Sequence, residues 1–303
     1  MKLINQSFEI LEQKDFTITG IKKFIERCGR VCYKSEDRII DDSYEKFVNM
    51  LEKRDHARPL EFGTVHLQMY ISDFHKLRDT LCINNMWNDQ WIKYHYAGNL
   101  AYVTTNYRYY LAIIKVFPSV ESDFDPQDDE LYPKRYTVHF ITSRGIMDEF
   151  RTHVGLSHLA ESTRYCNYSK DKFNNEVTFI IPSWMDFPEI SIDLGNYDKT
   201  SVRSKDGNVH VIDTKPPYVE GDFIRSLCEA ESNYLSIVRN GWTPQQAREV
   251  LPLAVKSELI SCGFEDAWKN FFYRRCAKDA HPMAQEIAKP MHKEFIERGF
   301  IDK

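Results

Sequence analysis

The sequence has no long apolar run, although 42% of its 303 residues are hydrophobic. No stretch approaches the ~18 consecutive apolar residues that a membrane-spanning helix needs. The first residues, MKLINQSFEILEQ, carry acids and amides where a signal peptide has a continuous apolar segment. The sequence therefore predicts a soluble, cytoplasmic protein that does not bind membranes.

Paired cysteines and an excess of positive charge are also lacking. The seven cysteines are an odd, scattered set, which is not a disulfide framework and suits a reducing compartment. Cys28 and Cys32 lie four residues apart, but no second Cys or His pair follows at the spacing of zinc ligands. The net charge of −5 gives no global basic field that would attract nucleic acid. The composition thus predicts no metal site and no nucleic-acid partner.

The most informative stretch is RTHVGLSHLAESTRY, residues 151–165, with two arginines, two histidines, two serines, two threonines and a glutamate. Ile146, Met147 and Phe150 precede it at helical spacing, so we expect an apolar-faced helix to deliver this cluster. Arginine forks match the geometry of phosphate and carboxylate groups, and neighbouring hydroxyls complete an anion site. The stretch predicts a pocket for a phosphorylated small molecule. The alternative is a solvated helix end with mixed charges.

Hydrophobic periodicity along the chain predicts a mixed α+β protein. An edge strand and a turn are expected within residues 1–20. The expected helices are 21–31, 43–51, 74–81, 223–239, 266–275 and 282–297, and the expected strands are 64–71, 100–104, 135–142 and 177–182. The final third is expected to be helical. We interpret residues 1–303 as one domain with insertions near 117–133 and 185–220, the second containing a hairpin over 201–214 that turns at 205–208.

Two further segments place arginine beside groups that could hold a nucleotide. In TPQQAREVLP, residues 243–252, Thr243 and Pro244 provide the start of a helix, and Arg248 follows it. In residues 268–288, Phe271 and Arg275 share a helical face. A lone arginine is usually a surface charge. Three arginine-bearing segments with aromatic neighbours favour a buried site for a phosphate and a base.

These segments and their order resemble the flavin-dependent thymidylate synthases. The landmarks are RVCY at 30–33, PLE at 59–61, ESTRY at 161–165, AR with LP at 247–252, and NFF with a following arginine at 270–275. The resemblance covers most of the chain outside the two insertions.

The resemblance implies a mixed α+β fold and a homotetramer that binds FAD and dUMP where subunits meet. It implies reductive methylation of dUMP to dTMP. NADPH reduces the flavin, methylenetetrahydrofolate supplies the carbon, and hydride from the flavin completes the methyl group. The protein would act by orienting and polarising the uracil.

The resemblance also implies roles for particular residues. Arg275 matches the catalytic arginine, which binds dUMP and favours ionisation of its N3. The other positions that match dUMP-binding residues are Glu149, Ser162, Thr163, Arg164 and Arg248. The positions that match FAD-binding residues are Thr64, His153 and Asn270.

The chain departs from the family pattern at three places. An Arg-His-Arg signature is replaced by Thr152-His153-Val154, an acid or amide by Ala160, and a histidine by Phe62. Losing two arginines beside an anionic cofactor could remove roughly a few kcal/mol of charge-assisted contact. His158 is interpreted as a surface histidine. The departures leave two alternatives open: a relative that modifies pyrimidine nucleotides with altered cofactor use, or an inactive nucleotide-binding homologue.

Overall fold

The computed structural model describes residues 1–162, 164, 166–198, 200–213 and 219–302. In this part of the chain the helices are α1 (Ile18–Tyr33), α2 (Ser43–Lys53), α3 (Ile71–Ile83), α4 (Tyr107–Val116), α5 (Arg144–Phe150), α6 (Val219–Arg239), α7 (Pro244–Ala247), α8 (Glu265–Arg275) and α9 (Pro282–Glu297). The strands are β1 (Lys2–Ile4), β2 (Ser7–Leu11), β3 (Thr64–Tyr70), β4 (Ile92–Ala97), β5 (Leu100–Asn106), β6 (Phe124–Asp125), β7 (Arg135–Ser143), β8 (Ser157–Ala160), β9 (Thr178–Ile180), β10 (Ile190–Tyr197), β11 (Ser201–Ser204), β12 (Val209–Val211) and β13 (Lys256–Phe264). Among the described residues, no helix has the length and apolar character to cross a membrane.

Over the described residues the strands form three sheets. Their strand orders are β12-β11-β10-β1-β9, β2-β7-β13-β8 and β4-β5-β3-β6. β1 pairs with β9 in parallel and with β10 antiparallel, so the first sheet is mixed. Helices and strands are not arranged as regular βαβ repeats, and the predicted α+β class is confirmed.

The β2-β7-β13-β8 sheet is the layer on which the candidate site is built. β13 lies between β7 and β8 and is antiparallel to both. One face carries Val138, Phe140 and Leu259 and packs against α5, α8 and α9. The opposite face carries Leu159 and Ile260 and packs against α1. Both faces are therefore buried over much of the sheet.

Helices α5 and α8 start at opposite ends of this sheet. α5 follows β7 directly, and α8 follows β13 directly. β7 and β13 are antiparallel, with Ser143 opposite Lys256 and Arg135 opposite Phe264. The two helices therefore pack on the same face of the sheet but start from opposite strand ends. Their C-terminal ends consequently meet, which brings together residues more than a hundred positions apart in the sequence.

Most of the predicted elements are present, but in the described part of the chain α4 and five strands, β4, β6, β8, β10 and β13, were not predicted. The predicted helices correspond to α1, α2, α3, α6, α8 and α9, and the predicted strands to β3, β5, β7 and β9. The expectation that the final third is helical is wrong, since β13 occupies Lys256–Phe264. Eight of its nine residues are buried, so it lacks the alternation that marks a half-exposed strand. β4 within the aromatic-rich segment was also not predicted.

The predictions for the N-terminal residues and for the segment 185–220 differ in how well they agree with the structure. The expected edge strand near the N-terminus is two strands: β2 lies at a sheet edge, whereas β1 lies between β10 and β9. The hairpin of β11 and β12 is confirmed over its described residues, with the turn at 205–208; Thr214 lies outside them. β10 extends the sheet that contains β1.

Candidate functional site

Arg275, Glu149 and His153 meet where the C-terminal ends of α5 and α8 converge. The Nη1 atom of Arg275 lies 2.6 Å from Oε2 of Glu149, and its Nε atom lies 2.7 Å from Nε2 of His153. Nη2 donates to the backbone carbonyl of Glu149 at 2.7 Å and to Oγ1 of Thr152 at 3.4 Å. A cation is favourable here because the last carbonyl groups of a helix carry partial negative charge. The sequence predicted all three residues as site residues, and the structure brings them together.

The guanidinium of Arg275 is largely committed to these partners. Arginine has five N–H donors, and four are used in these bonds. Its side chain is 16% exposed and lies over the ring of Phe150, 5.9 Å from the ring centroid. One Nη1 hydrogen thus remains for a ligand. The position of the charge is fixed before any ligand binds, which is the arrangement that electrostatic preorganisation requires.

His153 is held as a neutral imidazole. Burial lowers the pKa of His153 to about 4, and the positive charge of Arg275 contributes in the same direction. Since Nε2 accepts the hydrogen bond from Arg275, the single proton of the neutral ring is assigned to Nδ1. Within the described residues no group bonds to Nδ1. His153 therefore offers one fixed N–H donor to a ligand.

Arginines surround the two histidines although the flanking signature arginines are absent. The charges of Arg275 and Arg274 act on His153, and those of Arg151 and Arg58 act on His158. The loss of charge at Thr152 and Val154 is thus partly replaced by the neighbouring Arg151 and by arginines from other segments. Val154 is 69% exposed.

Thr152 itself has a bonding role beside the cluster. Its Oγ1 donates to the backbone carbonyl of Glu149 at 2.7 Å and accepts from Arg275. A hydroxyl at this position therefore supports the Arg275–Glu149 contact, whereas a second arginine there would repel Arg275.

The interpretation of His158 as a surface histidine is wrong. His158 lies on β8, where Nδ1 meets Oγ of Ser261 at 2.9 Å and Nε2 meets the carbonyl of His153 at 3.1 Å. Burial lowers the pKa of His158 to about 4. His158 holds the backbone carbonyl of His153. No sequence pattern indicated this contact, because Ser261 lies on β13, which was not predicted.

Glu61 is a second buried group, and the family motifs implied no role for it. Its Oε2 accepts from Oγ of Ser157 at 2.6 Å, and its Oε1 accepts from Nη1 of Arg108 at 2.6 Å. Glu61 is 3% exposed. This carboxylate therefore ties the segment before β3 to the start of β8, next to His153 and His158.

The other two departures from the family pattern lie in apolar surroundings. Phe62 is fully buried in the cluster that joins α1 to the sheet, with Leu159 and Ile260. A histidine there would have to be buried among apolar side chains, which costs free energy unless it is hydrogen-bonded. Ala160 lies on β8 opposite Leu259. Both residues act as packing residues in this fold.

Ser162, Arg164 and Arg248 belong to a second cluster, on the C-terminal side of β8. Nε of Arg164 lies 3.3 Å from Oε1 of Gln245, which is three residues before Arg248 in the turn that begins with α7. Thr243 caps α7 as predicted, with Gln246 completing a capping box. Two of the predicted arginine-bearing segments therefore meet. Thr163, also predicted to bind dUMP, lies outside the described residues.

A buried ionic network anchors this second cluster. Glu161, which is 1% exposed, accepts from Nζ of Lys256 at 3.0 Å and from Sγ of Cys166 at 3.2 Å. Lys256 also donates to Oε1 of Glu258 at 2.6 Å. Burial disfavours the charge of Lys256, but Glu161 and Glu258 raise its pKa above the usual value.

Glu258 also contacts His139 and Lys34, in addition to Lys256. Burial opposes its ionisation, yet the bond from His139 and the charges of Lys256 and Lys34 hold the pKa of Glu258 well below its usual range. Glu161 directly precedes Ser162, so the network fixes the start of the predicted phosphate-binding segment.

Of the other two predicted FAD positions, Thr64 lies apart from His153, whereas Asn270 directly precedes Phe271, whose ring contacts His153. Oγ1 of Thr64 accepts from Nη1 of Arg135 at 3.1 Å, and Arg135 is paired with Phe264, the residue before α8. Thr64 thus lies near the start of α8 and Arg275 at its end, about 16 Å apart for an eleven-residue helix. Thr64 lines a cavity of about 430 Å³. Asn270 lies on α8 and accepts from Nε of Arg274 at 3.2 Å.

The family model described as thymidylate synthase complementing protein, Thy1, matches residues 134–298, which is more than half of the chain. The chain belongs to the thymidylate synthase complementing protein family. The family predicted from the sequence motifs is therefore confirmed, and membership supports a methyltransferase that acts on nucleotides. The matched range of the Thy1 family includes the Arg275 cluster and the Arg164–Arg248 cluster, but not Thr64 or Glu61.

Two solved structures of a similar protein were found. The UMP/dUMP methylase PolB from Streptomyces cacaoi bound with 5-Br UMP gives a TM-score of 0.43 at 12% identity, covering 98% of this chain and 92% of that chain. The same methylase bound with 5-Br dUMP gives 0.41 at 14% identity, covering 98% and 93%. No curated protein matches the chain.

Proposed function

We propose that the protein converts dUMP to dTMP by reductive methylation. Methylenetetrahydrofolate provides the one-carbon unit, NADPH is the reductant, and FAD is the resident cofactor. The observation that carries the proposal is the contact of Arg275 with both Glu149 and His153. These residues come from two helices and one loop, and all three were predicted to serve one active site from the family motifs.

The two clusters would bind different parts of dUMP. Arg164 and Arg248, with the hydroxyl of Ser162, hold the phosphate, because arginine forks bind phosphate oxygens in pairs. Lys256 and Glu161 fix the segment that carries Ser162 and Arg164. Arg275 and Glu149 hold the pyrimidine ring.

Arg275 acts on the pyrimidine through its fixed positive charge. A cation near N3 favours the ionised, enolate-like uracil, and this makes C5 more nucleophilic. The new carbon bond forms at C5 while the bond between the one-carbon unit and the folate nitrogen breaks, and the C5 proton is then lost to water. Glu149 and His153 keep the guanidinium in one orientation during this change.

The residues present fit a flavin cofactor. The Nδ1–H of His153 has no acceptor among the described residues, Arg274 supplies positive charge near His153, and Arg58 and Arg151 supply it near His158. Thr64 and Asn270 place polar groups along α8, which suits an elongated dinucleotide. When bound, the flavin supplies hydride transfer from NADPH to the one-carbon unit. The protein's part is to bind, orient and exclude water.

The deciding experiment measures tritium release from [5-³H]dUMP by the purified protein with FAD, NADPH and methylenetetrahydrofolate. We expect release that requires all three, together with a product heavier than dUMP by one methyl group. A product with another mass shift would point instead to a different pyrimidine modification. Binding of dUMP with neither flavin binding nor turnover would identify an inactive homologue.

The proposal includes a homotetramer, since family members bind their ligands between subunits. Light scattering of the purified protein tests this part separately. A monomer that is fully active would contradict it without affecting the assignment of the reaction.

A further inference from the structure

A cavity of about 300 Å³ lies beside Glu61, outside the range matched by the family. This is within the size range of small-molecule sites. Its walls include Trp87 and Trp91, and its polar groups include Glu61, Asn88 and Arg108. None of the residues assigned to dUMP or FAD lines this cavity.

The two tryptophans lie on the aromatic loop, residues 84–91, which joins α3 to β4. Nε1 of Trp87 donates to Asp89 at 2.9 Å, and the ring lies 6.4 Å from that of Phe74. Trp91 meets the ring of Tyr109 edge to face at 5.6 Å.

The aromatic loop is also bonded to α4, because the hydroxyl of Tyr109 donates to the carbonyl of Met86. Within the loop, the backbone N–H of Trp91 donates to the carbonyl of Asn88 at 2.9 Å. Both indole walls are thus positioned before a ligand arrives. Aromatic surfaces of this kind stack on flat heterocyclic rings.

Arg108 is the group in the cavity wall that can bind an anion, and Glu61 lies beside it. Nη1 binds Glu61 at 2.6 Å, and the guanidinium lies over Trp91, 5.9 Å from the ring centroid. The Arg108 side chain is 44% exposed, and among the described residues only Glu61 accepts a hydrogen bond from it. Its other N–H donors can bind a carboxylate or a phosphate.

The cavity is connected to the candidate active site through Glu61. The carboxylate that binds Arg108 also binds Ser157, whose neighbour His158 holds the carbonyl of His153. A ligand in the cavity would therefore lie close to the segment that carries His153. We propose that this cavity binds the flat ring system of an anionic co-substrate, with Trp87 and Trp91 as its walls and Arg108 at its anionic group.

The choice of ligand class rests on the proposed function. In that reaction both the nicotinamide dinucleotide and the folate combine a flat nitrogen heterocycle with anionic groups. NADP⁺ and 5-formyltetrahydrofolate are stable probes for the nicotinamide dinucleotide and the folate, respectively. Isothermal titration calorimetry measures their binding to the full-length protein, with dUMP as a third ligand.

Trp87→Leu removes one wall, and Trp184→Leu removes an exposed tryptophan elsewhere as the matched control. We expect Trp87→Leu to weaken one of the two probes by about tenfold or more, as for loss of one stacking surface. Binding of dUMP should not change, and Trp184→Leu should bind all three ligands normally. The probe that is weakened identifies the co-substrate.

Arg108→Lys is a second variant that keeps a cation beside Glu61 but loses the planar fork, so it tests the cavity if Trp87→Leu does not fold. It should weaken the same probe several-fold. Unchanged binding of both probes in the variants, or no binding of either probe to the unmodified protein, would overturn the proposal. Binding of a probe without turnover would support the cavity as a binding site and contradict the proposed function. Turnover with unchanged KM for both co-substrates in the variants would support the proposed function and contradict the proposal for the cavity.

Discussion

The Nε atom of Arg275 lies 2.7 Å from the Nε2 atom of His153, and the two residues come from segments separated by 122 positions. The bond fixes the tautomer of the imidazole and the orientation of the guanidinium together. A residue predicted to act on the substrate is thus hydrogen-bonded directly to one predicted to bind the cofactor. A change at either residue should affect the other.

Arg275→Ala should reduce turnover far more than stability. Removal of a preorganised charge is expected to lower kcat by about 10²-fold or more. The cost to the free energy of unfolding should be only about 1–2 kcal/mol, because Glu149 is partly exposed and can be solvated. Steady-state kinetics and urea unfolding measure the two effects. Arg298→Ala, at the end of α9, is the control, and unchanged kcat in Arg275→Ala would refute the assignment.

Arg164→Ala should weaken ligands only through their phosphate. Loss of a charge-assisted contact predicts a roughly 10- to 100-fold higher Kd for dUMP. Deoxyuridine, which has no phosphate, should bind the variant and the unmodified protein equally. Titration calorimetry with both ligands makes the comparison, and Arg225→Ala on α6 serves as the matched control. An equal loss for deoxyuridine would indicate that Arg164 acts on the fold instead.

Lys256→Met should be strongly destabilising. It leaves Glu161 and Glu258 buried beside each other without their shared cation, at a cost of roughly 3–5 kcal/mol. Lys172→Met breaks an exposed pair with Asp37 and should cost less than about 1 kcal/mol. Urea unfolding compares the two. Similar costs for both variants would show that the buried network contributes little.

Stability should fall as the pH is lowered from about 6.5 to about 4. His66 lies on β3 and is 1% exposed. Burial lowers the pKa of His66, His153 and His158 to about 4, from an ordinary value of 6.5. In this window the unfolded chain binds three protons that the folded protein does not. The free energy of unfolding should therefore decrease by up to about 4 kcal/mol per pH unit. Urea unfolding between pH 7 and pH 4.5 tests this, and a flat profile would contradict it.

Local patterns were sufficient to predict much of the fold. β3, α1 and α9 each carry an apolar pattern of the expected period, and Thr243 with Pro244 correctly predicted the start of α7. The grouping of Glu149, His153 and Arg275 was also expected, although through the family resemblance and not through any local pattern.

What the sequence could not provide depends on pairing between distant strands. β13 is buried on both faces, so its residues show no alternation. Without β13, the bond of His158 to Ser261 and the network around Lys256 could not be predicted, because each needs β13 beside β7 or β8. The position of Phe62 in the core could not be predicted either, because its neighbour Ile260 lies on β13.

The cavity between Trp87 and Trp91 has a consequence for inhibitor design. Its walls lie outside residues 134–298, the range that the Thy1 family model matches, whereas the Arg275 cluster lies inside it. A compound that stacks on these indoles and reaches Arg108 would therefore bind apart from the positions predicted to hold dUMP. Raising the concentration of dUMP should not relieve its inhibition.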